Sequence, residues 1–395
     1  MARKFLLTSF DYVRPKDPNI SLASSSIMAY LKTAFDSKET SKTLSLHCRQ
    51  YNVKNAALEK LSARVMQDIK ELKPDIIATG VPKYIVLGGP QITYNLKGTL
   101  EKFYPYGDFF IRGDTDAGSK SIYNLSELPS PLLTPGLVGH SGFVRWETKR
   151  GCPFECAFCQ HKDSYEKRLK CSPSRITDEQ TWIVQNQIKD ISIVDPIFNS
   201  GGQEEYLQTL NGFLKFGYTG RLNMQARFEM IKAPFLQLCS QLQENGVQVE
   251  LEFGIQTIIK KESQVIRRMN NLKAVVKSAN ELHARSIPFE VSLIYGLPEQ
   301  TLDSFRSSLE WVKTFVKPTV IRAWPLMLLK GTSLYDMKNV YNLREKMLDE
   351  DLEELDKSRQ YKGIPHVVES SSFTETEWDQ MKSVALSINS ENLNP

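Results

Sequence analysis

This sequence lacks long apolar runs and any large excess of charge of one sign. No stretch approaches the roughly 20 apolar residues that a membrane-spanning helix needs, and the first apolar run is too short for a signal peptide. The 50 basic and 46 acidic side chains give a net charge of only +4, which does not by itself indicate nucleic-acid binding. No basic and aromatic pattern indicates RNA binding either. We therefore expect a cytoplasmic protein without membrane or nucleic-acid partners.

Cysteine is also scarce, with six residues in a chain of 395. A small secreted disulfide scaffold would be shorter and richer in cysteine. Three of the six lie within eight residues, at Cys152, Cys156 and Cys159, in the spacing Cys-x3-Cys-x2-Cys. The other three are scattered. A tight group of thiols of this kind indicates metal binding in a reducing compartment.

The first third of the chain alternates short apolar strands with helical patterns. The pattern predicts strands at 5–8, 43–48, 75–78, 84–87 and 109–111, and helices at 22–34 and about 57–71. Such alternation is typical of a parallel sheet with helices on its faces, that is, a Rossmann-like α/β domain.

One connection breaks this pattern. Only about five residues separate the strands at 75–78 and 84–87, whereas a parallel crossover needs about a dozen or more. Either these strands form a hairpin, or a helix has been lost and the domain is degenerate.

A second strand–helix series begins near residue 141. Its predicted strands are 143–148, 191–195, 221–225, 247–253, 289–295 and 320–324, and its helices lie near 178–189, 203–216, 232–245, 270–285 and 301–316. This series predicts a partial (β/α)6 barrel. The cysteines follow its first strand, at the end of the barrel where active sites gather.

We therefore expect four segments. Residues 1–127 form the small, incomplete Rossmann-like domain, and 128–140, rich in proline, form a linker. Residues 141–332 form the barrel, and 333–395 form a polar helical extension.

The cysteine loop allows more than one metal site. A closed zinc site usually takes four ligands in two pairs, and this loop offers three cysteines and no second pair. A four-iron cluster held by three cysteines leaves one iron free for a cofactor or substrate. Gly151 allows a close turn around a cluster, and Phe158 offers a face for a heterocycle. Zinc stays open as the alternative.

The motif Arg150-Gly-Cys-Pro-Phe-x-Cys-x-Phe-Cys159 resembles the signature of the radical S-adenosylmethionine (SAM) superfamily. The resemblance implies that Cys152, Cys156 and Cys159 hold a [4Fe-4S] cluster whose fourth iron binds SAM. In that family the reduced cluster cleaves SAM, and the resulting 5′-deoxyadenosyl radical abstracts a hydrogen atom from the substrate.

Later stretches are similar to one branch of that family, whose members carry an N-terminal cobalamin-binding domain. These stretches are 194–199, 223–227, 253–257, 294–301 and 324–332. The resemblance implies that SAM contacts Phe158, Asp195, Arg227 and Gln256. From the residues alone, Asp195 could equally cap a loop, Arg227 could be a salt-bridge residue, and Gln256 is the weakest candidate.

The N-terminal domain contains the segment Gly88-Gly89-Pro90, which resembles the cobalamin domain of this branch. No Asp-x-His-x-x-Gly motif is present, although members of the branch often lack it. The short connection before this segment leaves two alternatives, a working cobalamin site or a vestigial domain that keeps the fold without the ligand.

We hypothesise a radical SAM enzyme, with cobalamin-dependent methyl transfer or a rearrangement in natural-product biosynthesis as its reaction. It would act on a small-molecule or peptide substrate and need an external one-electron reductant of the flavodoxin or ferredoxin type. The alternatives are a zinc-stabilised binding module and a cluster-bearing relative without catalytic activity.

Overall fold

The computed structural model describes most of the chain after residue 125 and parts of the chain before it. The described residues are 3–11, 20–36, 44–52, 58–72, 74, 76–78, 86–87, 109–110, 125–137, 142–161, 168–348 and 365–391. The chain divides into two compact units. The first is Met1–Arg145 with Lys170–Ile188, and the second is Trp146–Leu169 with Lys189–Pro395.

The first unit contains a three-stranded parallel sheet in the order β2-β1-β3. Its strands are β1 (Arg3–Asp11), β2 (Leu44–Asn52) and β3 (Ile76–Ala78), and its helices are Leu22–Asp36 and Leu58–Leu72. Leu7 on β1 packs with Met28 and Ala29 of the first helix and with Leu137. The predicted parallel sheet is confirmed, because apolar residues of the strands meet an apolar helix face.

Two further short strands pair with each other. They are β4 (Val86–Leu87) and β5 (Phe109–Phe110), and their pairing is parallel. In the described part of the chain β4 therefore pairs with β5 and not with β3, so the hairpin alternative for the strands near 78 and 84 is wrong there. Gly88, Gly89 and Pro90 lie outside the described residues.

The proline-rich stretch is packed within the first unit. Ser130 Oγ donates to Glu179 Oε1 at 2.5 Å. Arg175 Nη1 donates to the carbonyl oxygens of Leu125 and Leu128 at 2.6 and 2.7 Å. Glu179 and Arg175 both belong to the helix Pro173–Gln185. The described part of the expected linker, 128–137, is therefore bound to this helix, and the four predicted segment bounds stay a prediction.

The same helix begins five residues before its predicted start. Ser172 accepts a hydrogen bond from the Arg175 N–H and caps the helix, and Pro173 occupies the first helical position. Both residues favour a helix start, and the apolar periodicity alone gave a start at 178.

The main sheet has six strands in the order β13-β12-β11-β10-β9-β6. They are β6 (Phe143–Trp146), β9 (Asp190–Ile193), β10 (Arg221–Ala226), β11 (Gln248–Gln256), β12 (Phe289–Tyr295) and β13 (Val320–Pro325). Neighbours from β9 to β13 pair in parallel. Short strands β7 (Lys149–Arg150) and β8 (Leu169–Lys170) lie between β6 and β9 in the sequence. The predicted partial (β/α)6 barrel is confirmed.

Helices cover one face of this sheet. They are Gln203–Lys215, Ala233–Glu244, Lys260–Val265, Leu272–Ala284 and Leu302–Trp311, the last continued by a π-turn at Val312–Val316. Thr301 begins the last of them as predicted, since its side chain and that of Ser304 cap each other's backbone N–H groups. On β11, Val249, Leu251 and Phe253 are buried. The alternate residues face the concave side of the barrel, so that side is available for polar groups.

The C-terminal part combines helix and strand. The helices Ser333–Asp336 and Glu375–Glu391 confirm the predicted helical extension, but an antiparallel pair, β14 (Arg344–Met347) and β15 (Pro365–Glu369), was not predicted. Asn389 hydrogen-bonds both backbone groups of Ala323 on edge strand β13, each at 3.1 Å. Its amide thus satisfies an edge that would otherwise lack a neighbouring strand. None of the described helices is both long and apolar enough to cross a membrane.

Candidate functional site

A cavity of about 480 Å³ lies in the second unit, at the carboxyl ends of the barrel strands. Its wall includes Ala226, Gln256 and Pro325, the last residues of β10, β11 and β13. The three clustered cysteines, Phe158 and Arg227 line the same cavity. A pocket of this size at this end of a parallel barrel is suited to a small molecule or a cofactor.

The cysteine loop begins directly after β7. Gly151 has a φ of +86°, a conformation that favours glycine. The Cys159 N–H donates to the Cys156 carbonyl at 3.1 Å, which closes a turn between two of the cysteines. Ala157 anchors the loop, because its N–H donates to Ile266 O at 2.8 Å and its carbonyl accepts from Leu334 N at 2.9 Å. The loop is thereby fixed with all three thiols along one cavity.

Burial raises the pKa of the Cys152 and Cys159 thiols, and a backbone N–H opposes the shift at each of them. These cysteines therefore carry their protons at neutral pH until a metal displaces them. Among the described residues, no three His, Cys, Asp or Glu side chains converge on the position of a single metal ion. Each cysteine of an iron–sulfur cluster binds a different iron, so a cluster does not require such convergence.

Asp195 does not line the cavity. Its side chain is fully buried, and Oδ1 accepts from the backbone N–H groups of Thr148 and Lys149 at 2.7 and 2.9 Å. Oδ2 accepts from the Thr148 hydroxyl. The expectation of a direct contact between Asp195 and SAM is corrected, since the carboxylate faces the segment before the cysteine loop. It holds that segment in place.

Arg227 does line the cavity, with a side chain that is almost fully buried. Its guanidinium pairs with Glu229 at 3.1 Å and donates to Met269 O at 3.0 Å. It also lies 3.9 Å above the ring of Phe154. The charge of Arg227 is therefore balanced within the protein, which agrees with the alternative of a salt-bridge residue.

Gln256 occupies a strained position at the cavity wall. Its φ is +69°, and the register between β11 and β12 shifts between Gly254 and Gln256. A Cβ at Gly254 would lie 2.3 Å from Gln256 Nε2, so glycine makes room for this side chain. Gln256 Oε1 is buried and has no hydrogen-bond partner in the described structure. A strained backbone and a buried polar atom without a hydrogen-bond partner together indicate a ligand contact.

Comparison with known proteins agrees with this geometry. A family model described as the radical SAM superfamily matches residues 146–312. Residues 146–312 thus match a radical SAM domain. The matched residues include the cysteine loop and the strands from β9 to β12, which confirms the resemblance inferred from the motif.

Individual relatives match at low identity. The cobalamin-dependent radical SAM methyltransferase TokK of Streptomyces tokunonensis is 23% identical over 199 residues, which are 39% of this chain and 27% of TokK. The methyltransferase PH0819 of Pyrococcus horikoshii is 23% identical over 313 residues, 66% of this chain and 64% of PH0819. The matches thus span less than two thirds of either relative.

Two solved structures of the radical SAM methyltransferase TsrM from Kitasatospora setae share the fold. Their TM-scores are 0.68 and 0.66, and they cover 98% and 93% of this chain and 89% and 88% of TsrM. The sequence identity is 12% in both cases, so the likeness concerns the fold.

One residue of this cavity was not predicted from the sequence. Arg268 lines the cavity, with Nη1 at 3.7 Å from Cys156 Sγ and Nη2 donating to Gly254 O. It has no carboxylate partner in the described part of the chain, and its Nε is buried without a hydrogen bond. In the sequence, Arg268 is visible only as part of a basic pair after a short helix. Its approach to Cys156 depends on how that helix packs, so the sequence alone gave little indication of it.

Proposed function

We propose that this chain is a radical SAM enzyme that binds a [4Fe-4S] cluster and transfers a methyl group to a small-molecule or peptide substrate. The observation that carries this proposal is the placement of Cys152, Cys156 and Cys159 along one cavity, beside the unpartnered polar atoms of Gln256 and Arg268. When bound and reduced, such a cluster supplies the electron that cleaves SAM.

The donor set fits that cluster. Three thiols leave one iron without a protein ligand, and a SAM amino acid group would complete its coordination. Arg268 is placed to bind the SAM carboxylate, because its Nη1 lies 3.7 Å from Cys156 Sγ and it has no acidic partner among the described residues. Its planar guanidinium can form paired hydrogen bonds with a carboxylate. Arg227, already paired with Glu229, stabilises the wall instead.

Two other residues would bind the rest of SAM. The free Oε1 of Gln256 would accept a hydrogen bond from a hydroxyl or amino group. Phe158 lies in the cavity wall between two of the cysteines and presents a ring to a heterocycle. Asp195 acts indirectly, by fixing Thr148 and Lys149 ahead of the loop.

Cobalamin is the second cofactor that we propose. TokK is named as cobalamin-dependent, and one TsrM structure has cobalamin and a [4Fe-4S] cluster bound. The parallel sheet of the first unit is consistent with a cobalamin domain. The glycines proposed for this role lie outside the described residues, so retention of the corrin is the test. An external flavodoxin-type or ferredoxin-type reductant would supply the electron.

Anaerobic reconstitution with iron, sulfide and hydroxocobalamin tests these proposals. We expect about four iron atoms per chain, retained corrin after desalting, and consumption of SAM on reduction, followed as 5′-deoxyadenosine and S-adenosylhomocysteine. Cys152→Ser should lose the cluster. Cys48→Ser is the matched control, since it removes a half-buried thiol outside the loop.

The same experiment separates the alternatives. A colourless, air-stable protein with stoichiometric zinc would identify a binding module and contradict the proposal. A cluster-bearing protein that binds SAM without consuming it would identify a relative that has lost catalysis. Activity without corrin retention would remove cobalamin and leave radical chemistry by the cluster alone.

A further inference from the structure

The concave side of the barrel carries charged side chains that are mostly paired. Arg221 forms ion pairs with Glu250 at 2.5 Å and with Asp190 at 3.5 Å. Arg322 pairs with Glu290 at 3.6 Å. Pairs of this kind neutralise charge on a half-buried surface, where an isolated charge is costly.

Glu252 differs from these carboxylates. It is half-buried and lines the cavity, and in the described structure no lysine or arginine lies within ion-pair distance of it. Among the described residues, its oxygens accept only from the neutral amides of Asn223, at 3.0 Å, and Gln225, at 3.4 Å. A carboxylate has about four lone-pair sites, so Glu252 can accept further hydrogen bonds from a molecule in the cavity.

The arginines of the cavity do not balance this charge. Arg227 is paired with Glu229, and Arg268 is directed to Gly254 O and the sulfur of Cys156. Both therefore act at the end of the cavity near the cysteines. Glu252 lies two residues before Gly254, about 7 Å toward the amino end of β11. The carboxylate is thus offset along the strand from the groups proposed to bind SAM.

We propose that Glu252 binds a protonated amine of the substrate. This inference rests on the proposed function, because it takes the cavity to be the place where a substrate meets SAM. A cation hydrogen-bonded to a partly desolvated carboxylate forms a stronger bond than a neutral group does. Glu252 therefore selects cationic substrates over neutral ones of the same shape.

Benzylamine and benzyl alcohol are suitable probes, since they have similar shapes and only the amine is charged at pH 7. Their binding is measured by saturation-transfer NMR on the full chain, reconstituted with iron and sulfide, with SAM present and no reductant. We expect the amine to bind the wild type about tenfold more tightly, as a single charge-assisted hydrogen bond would give. Glu252→Gln should abolish that preference. Glu250→Gln, which removes a paired carboxylate from the same face, should keep it.

A second measurement assigns the carboxylate to substrate or to SAM. SAM itself carries an ammonium and a sulfonium, so its binding is measured on the wild type and Glu252→Gln by equilibrium dialysis. Unchanged SAM binding supports the proposal, and a tenfold loss of SAM affinity overturns it.

Equal binding of amine and alcohol to the wild type would also overturn it, whether or not the variant folds. Failure of the proposed function would show separately, as missing iron or missing SAM binding, because the preference for the amine requires no turnover.

Discussion

Replacing Asp195 with asparagine isolates the effect of one buried charge near the cysteine loop. Oδ1 of the asparagine can keep accepting from the N–H groups of Thr148 and Lys149, which now lie 2.7 and 2.9 Å from Asp195 Oδ1. The new amide can donate to the Thr148 hydroxyl, since a hydroxyl can also accept. The variant should therefore fold and keep the loop in place while it loses the ionisable group.

The size of the effect of Asp195 on the free energy of unfolding follows from the pKa of this carboxyl. Burial raises the pKa of Asp195 from 3.8 to about 6 in the folded protein, against the opposing effect of the Lys149 ammonium. Below pH 4 the group is protonated in both the folded and the unfolded chain. Between pH 4 and 6 the unfolded chain loses this proton first, so the contribution of Asp195 to stability falls as the pH rises. The loss amounts to about 3 kcal/mol once the pH exceeds 6.

Asparagine has no such proton. The free energy of unfolding of Asp195→Asn, relative to that of the wild type, should therefore rise by about 2 to 3 kcal/mol from pH 4 to pH 7. Urea denaturation followed by circular dichroism at several pH values measures this difference, and other carboxyls cancel in the comparison. A difference that stays constant with pH would refute the reasoning.

A companion variant tests the role of the same hydrogen bonds. Asp195→Ala leaves the N–H groups of Thr148 and Lys149 without their acceptor, and should cost about 1 to 3 kcal/mol for each group. The iron content after reconstitution should fall in Asp195→Ala and stay at the wild-type value in Asp195→Asn. Loss of iron in both variants would indicate that the charge itself supports the loop.

Three further changes test other parts of the structure. Asn389→Ala should lower the free energy of unfolding by about 1 to 3 kcal/mol, because it leaves two backbone groups of edge strand β13 without partners. Urea denaturation measures this change, and an unchanged free energy of unfolding would contradict the assigned edge contact. Gly296→Ala should cost about 1 kcal/mol more than Gly217→Ala, since both have positive φ but only the Cβ at Gly296 would meet neighbours, the nearest at 3.1 Å. Arg268→Lys should weaken SAM binding about tenfold, because only a guanidinium can form the paired hydrogen bonds with the SAM carboxylate. Arg267→Lys should leave SAM binding unchanged, and equal effects of the two variants would refute the role of Arg268.

Much of the fold could be predicted from local patterns. The strands of the barrel recur as apolar segments, and the helix at Leu302–Trp311 has its cap and its periodic face in the sequence. The packing of the proline-rich stretch could not be predicted, because it depends on hydrogen bonds between residues far apart in sequence. Ser130 bonds to Glu179, and Arg175 bonds to the carbonyl oxygen of Leu125. The strands β14 and β15 were missed for a related reason. Arg344–Met347 is exposed and mostly polar, and pairing with β15 defines it as a strand.

Part of the candidate site could likewise be predicted from the sequence, and part could not. Cys152, Cys156 and Cys159 are close in sequence, so their spacing alone predicts one metal-binding loop. The roles of Asp195, Glu252 and Arg268 depend on the face of a strand or the turn of a loop that each occupies. Adjacent strand residues point to opposite faces, and only the packed barrel decides which face meets the cavity. The sequence by itself predicted the thiol ligands and determined the strands of the barrel, whereas the tertiary structure decided which charged groups face the cavity.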